Sequence, residues 1–375
     1  MECIPNPAAP TAPVTLRPKH WRDNPKEENM SAQSRSRRAL TFLAALVIGF
    51  TIIPRPAAAQ YKVTNLVSSQ AGKAKFQDAD LVNAWGIAYS PTGPFCVTDA
   101  GSGLATFYTA QGVKQSPVIT IPSASKRHGT PTGVVYNGTT DFQVSQGGHS
   151  GPATFIFDTI DGTISGWNAE VNSNTAIVVV NNSSHGGSYA GLAIGANQGA
   201  NFIYAADHQK NEVDVYDGSF NLVKSFTDPN LPAGSAPFNI KAINGMLYVA
   251  FTTPGVGGTV DIFDMDGNLT KTFTAGKELK GPWGLALAPK NFGPISNAVL
   301  VANLTDGRIN AFNATTGQFI EALTDPTGKI ISESGLWAID FGGGTTQNGR
   351  TNQLFFASGP SGEKAGLFGS ISYKK

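Results

Sequence analysis

Three of the five histidines in this chain, His128, His185 and His208, fall in short polar stretches between apolar runs, and His208 follows Asp207 directly. Neutral imidazoles with a carboxylate are a donor set for Zn²⁺ or a similar divalent metal. A water activated on such a metal would support hydrolase or lyase chemistry. The spacing adds nothing to that expectation, because no His-x-x-x-His pair sets two ligands on one helical face. A second group of residues has different chemistry. Asn83, Trp85, Asn239, Trp283 and Trp337, with Phe238, sit where apolar runs begin. Aromatic walls and two amides would suit a peptide, a glycan or a small polar molecule. A third group, Asp99, Asp158, Asp207, Thr252, Asn303 and Ser358, closes six apolar runs. It has the look of an acid array, yet one short polar residue per run is what hydrogen bonding at a turn requires. There is no Gly-x-Ser-x-Gly elbow and no Ser–His–Asp set to supply a nucleophile.

The runs that carry these residues repeat. Their last residues are separated by steps of 59, 49, 45, 51 and 55. A recurrence of roughly 50 residues built from short strands is the mark of a β-propeller. Each unit opens with small residues and a Gly or Ala, as in Trp85-Gly86-Ile87-Ala88 and Trp283-Gly284-Leu285-Ala286. Small residues there let innermost backbones approach round an axis. A second, a third and an outer strand follow. The last unit lacks its outer strand, and residues 61–67 are expected to supply it, tying the two ends of the chain together and leaving no open central edge. The fold class expected is therefore all-β: one six-bladed propeller with four-stranded blades, its ring closed by an N-terminal strand. On that topology Asn83, His128, His185, Ser188, Asp207, His208, Asn239, Trp283, Glu333 and Trp337 share one face.

Residues 60–375 form this domain, and what precedes them reads differently. Residues 1–29 are Pro-rich and polar and read as a non-native or disordered extension. Residues 30–59 read as a signal peptide: Arg35, Arg37 and Arg38 are followed by an apolar stretch over 39–53 and by Ala57-Ala58-Ala59, with the cut before Gln60. Met30 is then the expected start, and the mature chain is expected to be periplasmic or extracellular, without a membrane span and monomeric. Eight of 27 Lys and Arg and four of 26 Asp and Glu lie before Gln60, which leaves 19 against 22, a net −3. That balance gives no electrostatic footprint for nucleic acid. Cys96 is the single cysteine after Gln60 and sits in an apolar run, so it reads as a small core residue.

The segment Tyr204-Ala205-Ala206-Asp207 followed by Val213-Asp214-Val215-Tyr216-Asp217 resembles the NHL repeat. Motifs such as Leu81-Val82-Asn83-Ala84-Trp85-Gly86, Asp161-Gly162-Thr163-Ile164-Ser165-Gly166-Trp167, Gly281-Pro282-Trp283-Gly284 and Gly366-Leu367-Phe368-Gly369 resemble an exported bacterial family of six-bladed, NHL-like propellers of uncharacterised function. The resemblance implies the propeller fold and export, and implies no activity. The reading that follows is a binding or interaction scaffold for an unknown ligand or protein at the channel mouth, with no cofactor. The alternative is a metal-dependent hydrolase or lyase on the same face, its divalent metal held by His128, His185, Asp207 and His208.

Overall fold

The computed structural model describes residues 60–125, 128–255 and 257–374. The expectations for residues 1–59 lie outside the described residues. Within them, six four-stranded antiparallel blades follow one another, each ordered from axis to rim. The innermost strands are Ala84–Tyr89, Pro131–Tyr136, Tyr189–Asn197, Ala236–Ile243, Pro282–Leu287 and Leu336–Phe341, for blades 1 to 6. Each touches the innermost strand of the next blade, and blade 6 touches blade 1, so the ring is closed. Blade 6 takes its fourth strand, Tyr61–Ser68, from the start of the domain; it pairs antiparallel with Leu367–Tyr373 from Tyr61↔Tyr373 to Ser68↔Leu367. A two-residue strand, Phe76–Gln77, adds a parallel edge beyond it. The insert between the first two strands of blade 2 folds as a small hairpin, Gln143–Gln146 against His149–Pro152.

The hydrophobic core is divided among the blade interfaces. Cys96, Phe107, Val134, Phe155 and Trp167 pack between blades 1 and 2, and five further clusters fill the remaining interfaces. Each blade is thus apolar on both faces, which is why its middle strands read as nearly continuous apolar runs. Each large side chain buried there contributes about 1.5–3 kcal/mol.

The strand register corrects one sequence expectation. The second-strand residues that face Ala84, Pro131, Tyr189, Pro237, Pro282 and Leu336, the equivalent places at the start of the inner strands, are Asp99, Thr159, Asp207, Phe251, Asn303 and Ser358. Asp158 lies one place earlier and Thr252 one place later than the repeat position. The ring is therefore less polar than the sequence suggests, with Phe251 occupying blade 4's place.

Every inner strand also carries the same irregularity near its start. In blade 1 the pairing passes from Ala84↔Asp99 to Ile87↔Val97, three residues against two. The same extra residue appears in blades 2 to 6. A bulge of this kind bends the strand and re-aims a side chain. The bulges place Trp85, Thr132, Ala190, Phe238, Trp283 and Trp337 at one level of the ring.

Candidate functional site

Four of the six bulge positions are aromatic, and they meet. Trp85 and Trp337, on neighbouring blades, stack with centroids 3.5 Å apart and planes 13° apart. Trp283 sets its edge against both, at 6.4 and 6.2 Å. Phe238 packs edge-on to Trp337 at 5.6 Å, and the His208 ring lies 5.3 Å from Phe238. The small residues of blades 2 and 3 make this possible: Trp283 reaches across the axis and its Nε1 donates to the Ala190 carbonyl at 2.9 Å. The two expected amides belong to the same assembly. Asn83 accepts from Trp337 Nε1 at 3.0 Å and donates to Glu363 at 3.2 Å, while Asn239 donates to the Trp283 carbonyl at 2.7 Å. Asn83 holds a left-handed backbone conformation, φ 50°, which asparagine tolerates better than most residues. The structure thus brings together Asn83, Trp85, Asn239, Trp283 and Trp337, but as a plug: the five are only 2–6 % exposed. Trp85 Nε1 is the one indole of the three without a hydrogen-bond partner.

The histidines share a face and remain apart. His128 Nδ1 donates to the Ser102 carbonyl at 2.9 Å, and His208 Nδ1 donates to the Pro237 carbonyl at 3.1 Å. His185 is exposed in the short turn Ser183–His185, beside Ser184 Oγ at 3.3 Å. Asp207 is fully buried; it accepts from the backbone N–H groups of Ser188 and Lys210, and Lys210 Nζ stands 3.6 Å from its second oxygen. Among the described residues no three His, Cys, Asp or Glu side chains form a group that could hold a metal ion. The turn role expected for Asp207 is what its bonds show.

The far end of the axis, where the inner strands finish, is built differently. Here a hollow of about 320 Å³ opens between blades 1, 2, 3, 4 and 6. Tyr89 and Tyr136 flank it, each packed edge-on to the Phe that starts the next strand of its own blade, Phe95 and Phe155. Lys241 and Asp340 span it with an ion pair of 2.8 Å. These residues hold the same register place in blades 4 and 6, where the other blades have Ala88, Val135, Ala193 and Ala286. Sequence reasoning missed the pair because its members lie 99 residues apart. The signal that would have found it is a charge in an inner-strand place otherwise filled by Ala or Val. A larger groove, about 600 Å³, runs along the outer strand of blade 5 by Lys277, Arg308 and Phe319, away from the axis.

Protein L690 of Acanthamoeba polyphaga mimivirus is 30% identical to this chain over 304 residues, covering 76% of the chain and 79% of the viral protein. The chain belongs to the same family. Another mimivirus protein, R648, is 29% identical over 339 residues, covering 85% of the chain and 82% of its own length. Both relatives are named as uncharacterized proteins. No family model matches the chain. Among solved structures, selenomethionine-substituted virginiamycin B lyase from Staphylococcus aureus aligns with a TM-score of 0.51 and 12% identity, over 84% of this chain and 99% of that one. At that identity the likeness shows the propeller fold alone. The family thus has viral members and a six-bladed fold.

Several acids of this family member are buried inside blades rather than on the axis. Burial pushes the Asp99 carboxyl well above the usual carboxylate range, against a hydrogen bond from Thr106. Burial raises Asp158 to about 6, opposed by bonds from Thr132 and the Gly133 N–H. Asp261 is raised to about 7, chiefly by burial and further by Asp228. Asp99, Asp158 and Asp261 are fully buried. The partners of Asp99 and Asp158, Thr106 in one case and Thr132 with Gly133 in the other, belong to the same blades as the acids they bond.

Proposed function

We propose that this chain is a non-catalytic binding propeller that takes a small polar ligand on its axis, at the open far end. The observation that carries the reading is the asymmetry of the axis. One end is closed by indoles that the bulges set in contact, and the other is a hollow to which five blades contribute, with the Lys241–Asp340 ion pair across it. Small-molecule sites are concave, largely preformed and lined by apolar walls with a few placed polar groups. In this reading Asn83, Trp85, Asn239, Trp283 and Trp337 act by holding the axis shut on the loop face and setting the spacing of the inner strands. The hydrolase or lyase alternative would need His128, His185, Asp207 and His208 on one ion, whereas among the described residues no three His, Cys, Asp or Glu side chains form a group that could hold one.

We also propose export of a monomer from a bacterial-type signal over residues 30–59, for which the support is the sequence of that segment; no described helix is long and apolar enough to cross a membrane. Sequencing the N-terminus of the secreted protein tests this, with Gln60 the expected first residue. The binding test is a thermal-shift screen of residues 60–375 against peptides, glycans and small polar metabolites, followed by calorimetry on any hit. Ala242 lines the hollow, so Ala242→Phe should fill it and abolish binding. A ligand whose affinity is unchanged in Ala242→Phe would place the site elsewhere and refute the reading.

A further inference from the structure

The ion pair in the far hollow calls for an explanation that the fold does not supply. Four of six blades complete the same level of the ring with Ala88, Val135, Ala193 and Ala286, so the propeller has no architectural need for charge there. Lys241 and Asp340 instead come from blades that are not neighbours, with blade 5's Ala286 between them in the ring, and meet across the hollow at 2.8 Å. Neither is sealed away: their side chains are 36 % and 22 % exposed. A half-desolvated pair in this position contributes little to stability. It does present a fixed cation and a fixed anion, side by side, to whatever enters.

We propose that the hollow binds a small zwitterion, a free α-amino acid or short peptide, whose carboxylate engages Lys241 and whose ammonium engages Asp340. This rests on the reading that the ligand sits at the far axial end. The charge balance selects the class. An anion satisfying Lys241 would strand Asp340, a cation would do the reverse, and an unpaired charge in a partly buried site is costly. A neutral polyol offers only uncharged donors and acceptors, which are weaker than the charge-assisted bond it would have to displace. A zwitterion replaces one internal pair by two intermolecular ones and leaves no charge unpaired. The walls fit such a ligand's side chain. Tyr89 and Tyr136 line the hollow with rings held by packing: a Cβ on Gly343 would lie 2.6 Å from the Tyr89 ring, and one on Gly138 would lie 3.2 Å from the Tyr136 ring. Ile194 and Ala242 complete an apolar side. The volume, about 320 Å³, is at the small end for ligand sites, which limits the occupant to one or two residues.

The test is calorimetry on residues 60–375 with L-leucine, L-phenylalanine and glycyl-leucine at millimolar concentrations. N-acetyl-leucine, leucine amide and glucose serve as comparisons, and the same titrations are run on Lys241→Ala/Asp340→Ala and Ala242→Phe. The double variant places alanine where blades 1, 3 and 5 already have it, so its melting temperature should match the parent and folding is not in question. The expected result is binding of a zwitterion, weakened about tenfold or more by blocking either end, and lost in both variants. Binding of glucose or a blocked compound that survives in the double variant but fails in Ala242→Phe would overturn the zwitterion and leave the axial site standing. Zwitterion binding unchanged in Ala242→Phe would overturn both. No binding by any of the three zwitterions would overturn the ligand class.

Discussion

Replacing Trp337 by alanine should show whether the indole plug is structure or binding surface. Trp337 is 2 % exposed, stacks on Trp85 at 3.5 Å, and gives its N–H to Asn83. Truncating a buried tryptophan costs ~3–5 kcal/mol in lost transfer energy and cavity. The Asn83 oxygen, in a residue 5 % exposed, loses its donor, which adds about 1–3 kcal/mol. The total is of order 5 kcal/mol. Unfolding entropy of ~2.1 cal/mol/K per residue over about 315 residues gives about 0.66 kcal/mol per degree, so calorimetry should record a fall in melting temperature of ~8 °C. Trp337→Phe keeps a ring against Trp85 and should lose roughly half as much. A melting temperature for Trp337→Ala within about 2 °C of the parent would refute the reasoning, since a side chain exposed for ligand contact can be cut back at little cost.

Three further outcomes follow from the same geometry. Asp261 has its folded value raised to about 7 from 3.8, so the stability it contributes is complete below pH 4 and is lost as pH climbs toward 7; melting curves should fall from pH 5 to pH 8 more steeply in the parent than in Asp261→Asn, and equal slopes would remove Asp261 as a cause. Gly284→Ala puts a Cβ 2.6 Å from the Trp337 carbonyl and 2.9 Å from Ala302, an overpacking that should cost ~1–3 kcal/mol in denaturant unfolding, whereas Ala at 338 is already tolerated at the matching place. Starting the domain at residue 69 removes the fourth strand of blade 6, including Tyr61, whose hydroxyl bonds the Phe292 carbonyl at 2.8 Å; the product should fail to give a cooperative thermal transition by circular dichroism, and a sharp transition near the parent's would show that the strand is dispensable.

The blades were legible because each buries both faces, so every middle strand is an apolar run bracketed by turns, and because the closing strand was missing from one end and spare at the other. The bulge was not legible. It adds one residue to each inner strand without altering composition, and it is what decides that Trp85, Trp283 and Trp337 lie in mutual contact rather than lining an opening. For the same reason Asp158 and Thr252 looked like members of a ring to which Thr159 and Phe251 belong: aligning runs by their last polar residue cannot sense a shift of one. The histidines show a different limit. Topology fixed the face on which His128, His185 and His208 lie, but not their separation around the ring, which depends on blade number and loop path. Lys241 and Asp340 were hidden inside apolar strands and become conspicuous only when the six registers are set side by side.

Pairing Tyr61 with Tyr373 also sets an order of assembly. Blades 1 to 5 are each a contiguous stretch of chain and can form as they are made, but the sixth needs the first and last strands of the domain together. Drawing ends some 300 residues apart into one sheet carries the largest loop-closure cost in the molecule, though that cost grows only with the logarithm of length. Until residue 373 is available, the partial ring keeps two raw blade faces exposed, one at each end of the arc, with the apolar side chains of the unmade interfaces on them. Folding of this propeller therefore completes only once Leu367–Tyr373 is available, and a nascent polypeptide stays open until that strand arrives.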